Sequence, residues 1–148
     1  MLRRILLLLA VLACAALAAA PSAQAQDPTI VTDITFPEDG APFGTFTASD
    51  PLCPSGTFVD EFVGGGGQFR AVTIRKMFVC ADGSGTFTIQ FHPQSTKANT
   101  ARCGLSGPFA VIRKGTGDFT RLRGTGEFCV FEDADGAHET FTGRFRLR

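Results

Sequence analysis

Residues 106–131 read SGPFAVIRKGTGDFTRLRGTGEFCVF, and the fold follows from this stretch. Two apolar runs, at 109–112 and 128–131, flank a centre that is rich in glycine. Branched and aromatic residues favour strands, and glycine adopts the positive φ angles that tight turns need. The stretch therefore predicts a long antiparallel hairpin whose centre lies near Thr116, with apolar side chains on both arms.

The chain on either side of this hairpin has the same character. Apolar and polar residues alternate, as in strands with one buried face, and short turns rich in Gly, Pro and Asp separate the strands. Consecutive hairpins favour an all-β, eight-stranded antiparallel up-and-down barrel, because closure leaves no exposed sheet edge. The expected strands are 30–36, 43–48, 56–63, 68–80, 86–92, 101–113 with an interruption near Gly107 and Pro108, 119–132 and 138–148.

Strand 68–80 departs from simple alternation. Ala71 and Thr73 share one side of the strand, whereas Ile74 and Phe78 share the other. A β-bulge near Arg75 and Lys76 would switch the two sides, because a bulge adds one residue to one strand of a pair. We therefore expect a bulge at this position.

The first 25 residues have the pattern of a secretion signal. Arg3 and Arg4 precede an apolar run at 5–13, and residues 23–25 read AQA, the small-x-small pattern of a cleavage site. The apolar run is shorter than the roughly 20 residues that a membrane span needs. Cleavage after Ala25 is expected, rather than an uncleaved anchor or lipoprotein processing at Cys14.

The mature chain, residues 26–148, is expected to be one domain in the periplasm, in the cell envelope or outside the cell. It has 12 basic and 14 acidic residues and no basic run, so nucleic acid is not an expected partner. No later apolar stretch is long enough to span a membrane. All 15 aromatic residues are Phe, which buries a large apolar area without a polar group.

Four cysteines remain after removal of the signal, an even number that predicts two disulfides in an exported chain. The turn of glycines at 64–67 brings Cys53 towards Cys80. Cys103 and Cys129 lie 13 residues on either side of Thr116, the centre of the long hairpin. Hairpin geometry therefore favours the pairs 53–80 and 103–129 among the three possible pairings.

Neither a metal nor another cofactor is expected. The cysteines are widely spaced without a C-x-x-C pair, and the chain has two histidines, which argues against zinc. Asp133 and Asp135 precede Gly136 as in the start of a calcium loop, but the later ligands of such a loop are missing. We expect a solvated turn there.

The glycine-rich centre of the hairpin resembles the signature of allene oxide cyclase-like and dirigent-like barrels. In those families a hydrophobic strand, here 109–112, enters a G-T-G-x-[FY] corner, and an R-G or x-G-x-G segment opens the next strand. The resemblance implies an eight-stranded barrel with a central apolar cavity and a hydrophobic substrate. The matching residues of this chain are Gly115, Thr116, Gly117, Gly124 and Gly126.

Few residues are candidates for chemistry. Asp60 shares a strand face with two phenylalanines, and Glu61 and Glu127 would form an acid/base pair if their strands approached. The alternative for both glutamates is the outer face of the barrel, where Glu is usually found. His92 and His138 lie at strand or loop ends with polar neighbours, and we expect them at the surface. No nucleophile–base set is visible.

Three functions follow as hypotheses. A barrel with a Phe-rich interior is typical of a protein that binds a small apolar ligand, or of an envelope or interaction module without enzymatic activity. The alternative is a cyclase- or dirigent-like enzyme acting on an unsaturated hydrophobic substrate, which requires an acid that points inward. Binding of a partner through residues 93–100 and the Arg-rich last strand is a third, weaker hypothesis.

Overall fold

A computed structural model describes residues 27–64, 72–94, 103–112 and 115–148. Eight antiparallel strands follow one another around a closed barrel, and β8 pairs with β1 to complete it. The expected eight-stranded antiparallel barrel is thus confirmed. The strands are β1 (Thr29–Thr35), β2 (Phe43–Ala48), β3 (Ser55–Phe62), β4 (Ile74–Cys80), β5 (Thr86–Phe91), β6 (Leu105–Ile112), β7 (Arg123–Asp133) and β8 (Gly136–Arg146).

The secretion signal at residues 1–25 lies outside the described residues and stays a prediction. Within the described ranges, the structure contains no helix with the length and apolar character that a membrane crossing requires.

Phenyl rings fill the middle of the barrel. The ring of Phe141 on β8 has its centroid 5.3 Å from that of Phe91 and 5.6 Å from that of Phe109, and both pairs meet edge to face. Phe78 stacks on Phe87 with centroids 4.7 Å apart. Edge-to-face and offset pairs suit the ring quadrupole and add to the free energy of burial. Packed rings therefore occupy the middle of the barrel, where the family resemblance implies an apolar cavity.

Strands β6 and β7 differ from expectation, and β8 begins and ends two residues earlier than expected. β6 runs without interruption, since Gly107 pairs with Phe128 and Pro108 continues the register with Glu127. β7 begins at Arg123 because the residues before it, including a 3₁₀ helix at Gly117–Phe119, turn across the end of the barrel. Phe119 is buried in this turn, 5.4 Å from the ring of Phe87. Phe119 is apolar because it closes the barrel end, and in the sequence such a residue looks like the first residue of a strand.

The expected bulge near Arg75 and Lys76 is wrong for the described part of that strand. From Ile74 to Cys80 every residue of β4 has one partner on β3 and the register is continuous. Lys76 therefore points into the barrel on the same side as Phe78, and its exposed fraction is 0%. The irregular pattern arises because a charged residue occupies an interior position.

Two disulfides join the strands to their connections. Cys53, between β2 and β3, is bonded to Cys80 at the end of β4, with Cα atoms 5.9 Å apart. Cys103, just before β6, is bonded to Cys129 of β7, with Cα atoms 5.3 Å apart. These are the pairings that hairpin geometry favoured, and disulfides of this kind are typical of proteins in oxidising compartments.

The residues of the family motif have packing roles. Gly117 has a φ angle of +56°, and the backbone N–H of Thr116 donates to the carbonyl oxygen of Thr86, which anchors the turn on β5. Gly124 and Gly126 lie on the inner face of β7. A Cβ atom on Gly126 would lie 2.7 Å from the ring of Phe109, so the missing side chains make room for phenyl rings.

Replacement of Phe141 by Ala tests the packed interior. The ring contacts four others, so its removal leaves a cavity and should lower the free energy of unfolding by about 3–5 kcal/mol. Urea denaturation measures this change. Phe36→Ala is the matched control, because Phe36 is 63% exposed and its loss should cost less than about 0.5 kcal/mol. Equal effects of the two substitutions would contradict a phenyl-packed core.

Candidate functional site

A group of buried polar side chains lies inside the barrel, towards the end where β1 and β3 finish. We call it the ionic cluster; it consists of Thr32 on β1, Asp60 on β3, Lys76 on β4 and Glu139 on β8. The exposed fractions of these residues are between 0% and 6%. Lys76 Nζ lies 2.8 Å from Asp60 Oδ1 and 2.9 Å from Glu139 Oε2. The hydroxyl of Thr32 donates to Glu139 Oε2 over 3.3 Å.

Strand register brings the four residues together. Asp60 and Lys76 are direct partners across β3 and β4, and Thr32 and Glu139 are direct partners across β1 and β8. Direct cross-strand partners on one face have Cβ atoms about 4.5–5.5 Å apart. Closure of the barrel then places the two pairs face to face, and the long side chain of Lys76 bridges them.

An aromatic ring also contacts the buried ammonium. Lys76 Nζ lies 3.6 Å from the centroid of the Phe58 ring, a cation–π contact. Gly44 on β2 makes room for this ring, since a Cβ atom there would lie 3.0 Å from the Phe58 ring and 1.9 Å from the Asp33 carbonyl oxygen. Desolvated cation–π contacts contribute about 2 kcal/mol, so Phe58 offsets part of the cost of burying the charge.

The ionic cluster has one cation and two carboxyl groups. With all three ionised it carries one net negative charge, which is costly in a buried site of low dielectric constant. Burial accordingly raises the pKa of Asp60 to about 6, against the opposing effect of Lys76 and with a smaller contribution from Glu139. Asp60 therefore gains a proton under mildly acidic conditions.

The ammonium group of Lys76 is enclosed by its partners. Its Nζ is within ion-pair distance of Asp60 Oδ1 and Glu139 Oε2, and the residue is fully buried. The cluster therefore balances two carboxyl groups with a single cation.

Apolar side chains lie between the ionic cluster and the barrel end. The inward-facing residues next along the strands are Ile34 after Thr32, Phe62 after Asp60, and Ile74 before Lys76. We call these three residues and Val130 of β7 the apolar collar. Phe62 is 58% exposed and the other three are half-buried. A charged group beneath an apolar rim suits a ligand with an apolar body and one polar end.

The three candidate acids on strands separate into inner and outer positions. Asp60 points into the barrel and belongs to the ionic cluster. Glu61 is exposed on the outer face, 3.8 Å from Arg75. Glu127 is exposed on β7, a strand that pairs with β6 and β8 rather than with β3. The fold therefore does not bring Glu61 and Glu127 together as an acid/base pair.

The two histidines lie outside the cluster. His92 Nδ1 is 3.1 Å from the hydroxyl of Thr73. His138 bridges two carboxylates, with Nδ1 2.8 Å from Asp33 and Nε2 3.1 Å from Asp133, and its ring stacks on Phe131. The hydrogen bond with Asp33 contributes most to raising the pKa of His138.

Sequence analysis did not identify Lys76 and Glu139 as site residues. Both had a usable signal, because Lys76 has the parity of Ile74 and Phe78, and Glu139 has the parity of Phe141. A charged residue in phase with core residues of a strand indicates an interior charge. Its partners cannot be found in this way, because they come from strands far apart in the sequence.

Comparisons with known proteins give no relative: no family model, no curated protein and no solved structure matches the chain.

The charge balance of the cluster can be tested with Lys76→Met. At neutral pH this variant buries two carboxylates without a cation, and we expect a loss of about 3–5 kcal/mol in the free energy of unfolding. The loss should shrink towards about pH 5, because burial raises the pKa of Asp60 and its protonation removes one of the two buried negative charges. Urea denaturation at both pH values measures it.

A triple variant serves as its control. Combining Lys76→Met with Asp60→Asn and Glu139→Gln removes all three charges, so its free energy of unfolding should differ less between the two pH values than that of Lys76→Met. If Lys76→Met lowers the free energy of unfolding equally at both pH values, the shape of the Lys76 side chain, rather than its charge, determines the loss of stability.

His138 should give the opposite pH dependence. Its pKa in the folded protein is raised, so its protonated form stabilises the fold fully below the pKa of the unfolded chain. This contribution is lost as pH rises through the folded pKa. The difference in thermal midpoint between the unmodified protein and His138→Gln should therefore be larger near pH 5 than near pH 9. A difference that grows towards alkaline pH would contradict the bridge between Asp33 and Asp133.

Proposed function

We propose that the chain is an exported binding barrel, in the periplasm, in the envelope or outside the cell, that binds a small and mostly apolar molecule at the collar end. The observation that carries the proposal is the ionic cluster, with a fully buried lysine between two carboxyl groups, directly beneath apolar side chains. The mouths of β-barrels are common sites for small ligands, and eight strands leave room for at most one.

The residues divide into two roles under this proposal. Phe62, Ile34 and Ile74 contact the apolar body of the ligand, because they are the exposed or half-buried residues of the inner face at that end. Asp60 and Glu139 face its polar end, because these two carboxyl groups give the cluster its negative charge. The packed phenyl rings below the cluster restrict the ligand to the mouth.

The charge of the cluster indicates the preferred head group. One cation and two carboxyl groups leave a net negative charge when all are ionised, and a ligand amine would compensate it. We therefore expect an amine to bind more tightly than an alcohol, and an alcohol more tightly than a carboxylate, when the apolar body is the same.

A second candidate function is a cyclase- or dirigent-like enzyme. Asp60 favours it, because this acid points inward and its pKa of about 6 suits donation of a proton near neutral pH. Membership of the allene oxide cyclase-like or dirigent-like families remains part of this proposal. In such an enzyme Asp60 would protonate an unsaturated hydrophobic substrate, and Asp60→Asn would abolish turnover without abolishing binding.

Three ligands with one apolar body test the binding function. Geranylamine, geraniol and geranic acid share the same hydrocarbon chain, so isothermal titration calorimetry with the mature protein compares their head groups alone. We expect the amine to bind most tightly, the alcohol less tightly and the acid least tightly. Phe62→Ala should bind the amine roughly tenfold more weakly, because the exposed ring of Phe62 covers the hydrocarbon.

Phe43→Ala is the matched control. Phe43 is 47% exposed on the outer face of β2, so its loss removes a comparable surface without touching the collar. Affinity for geranylamine should be unchanged in this variant. Absence of binding for all three ligands, or equal weakening by Phe62→Ala and Phe43→Ala, would reject a ligand site at the collar.

A further inference from the structure

Five arginines gather on the outside of the barrel, at the end opposite the ionic cluster. They lie where β7 begins and β8 ends, and all five are exposed. We call this surface the arginine patch; it consists of Arg121, Arg123, Arg144, Arg146 and Arg148.

The register places two of these charges directly against each other. Arg123 of β7 is the cross-strand partner of Arg146 of β8. Like charges in directly opposite positions destabilise a sheet, because their Cβ atoms are about 4.5–5.5 Å apart. Arg144 is opposite Thr125, which also gives it no opposite charge. The pairing of β7 with β8 thus places two like charges together, and their repulsion opposes that pairing.

No acid among the described residues forms an ion pair with the patch. None of the five guanidinium groups has a carboxylate within 4.0 Å in the part of the chain that the structure describes. The remaining described arginine behaves differently. Arg75 lies 3.8 Å from Glu61, and its Nε donates to Gln90 over 3.2 Å. Unpaired charge is therefore a property of the patch rather than of every surface arginine in the described ranges.

The surface of the patch is concave. Two adjoining depressions of about 280 Å³ each share Arg123 and Arg148 in their walls. Guanidinium groups of the patch line both depressions. Threonine hydroxyls provide further hydrogen-bond donors. The remaining lining residues are Thr120, Arg121 and Leu122 in one depression, and Gly124, Thr125, Arg144 and Arg146 in the other.

We propose that the arginine patch binds a ligand that presents two or more phosphate groups. The planar guanidinium fork pairs with phosphate through two parallel hydrogen bonds, and it stays charged at all physiological pH values. Arg144 and Arg146 lie two residues apart on one face of β8, about 7 Å along the strand, so two phosphate groups can be bound side by side. Bound anions would also relieve the repulsion between Arg123 and Arg146.

This site is independent of the collar. β8 contributes Glu139 to the ionic cluster near its beginning, and Arg144 and Arg146 to the patch near its end, on the opposite side of the sheet. Failure of ligand binding at the collar therefore has no consequence for the patch.

Calorimetry with sodium tripolyphosphate tests the proposal on the mature chain. We expect tripolyphosphate to bind, with an affinity that falls as salt is added because exposed charges are screened. Arg146→Gln should weaken this binding roughly tenfold. Arg75→Gln removes the same charge from another face and should leave the affinity unchanged. Arg146→Glu should abolish binding while raising the thermal midpoint, since it converts a repulsive pair with Arg123 into an attractive one.

Vesicles distinguish a soluble phosphate ligand from a lipid headgroup. Sedimentation with phosphatidylcholine vesicles, with and without anionic phosphatidate, is compared with the tripolyphosphate titration. Binding of tripolyphosphate supports a soluble phosphate ligand, and binding of the anionic vesicles alone supports a lipid headgroup. In either case the patch is supported if Arg146→Gln weakens the binding and Arg75→Gln leaves it unchanged. Absence of both, or equal weakening by the two substitutions, overturns the proposal.

Discussion

Closure of the sheet between β8 and β1 is the constraint on which the rest of the structure depends. In a closed barrel every second residue of every strand faces one small interior, whatever its chemical nature. Phenyl rings in mutual contact occupy many of these positions, but Lys76, Asp60 and Glu139 occupy three others. Because no open edge gives these side chains an alternative position, their charges must be balanced inside the barrel.

The two ends of the barrel differ in how they are closed. At one end, Phe119 and Leu122 are buried in the turn before β7 and complete the apolar core. At the other end the ionic cluster and the apolar collar replace further phenyl rings. A core of phenyl rings alone would serve stability better than a buried set of three charges, since buried ion pairs rarely outweigh their desolvation cost. Stability alone therefore does not explain the charges at the collar end.

Individual residues show how far sequence patterns lead. Phe87, Ile89 and Phe91 alternate without exception, and their strand and inner face were predictable. Phe119 was assigned to a strand because an apolar residue that caps a barrel end has no distinct local pattern. Asp60 is a candidate acid because it shares a face with Phe58. Glu139, the other carboxyl partner of Lys76, is 79 positions away from it in the sequence, and no local signal connects the two acids.

The sequence by itself determined the strands, the order of the hairpins and the pairing of the cysteines, because alternation, turn residues and hairpin symmetry are local properties of the chain. Only the tertiary structure decided which acids meet a cation and which arginines remain unpaired. Those outcomes depend on the register between strands such as β8 and β1, which lie at opposite ends of the chain. A shift of one residue in that register would move Glu139 to the outer face and leave Lys76 with a single carboxyl partner.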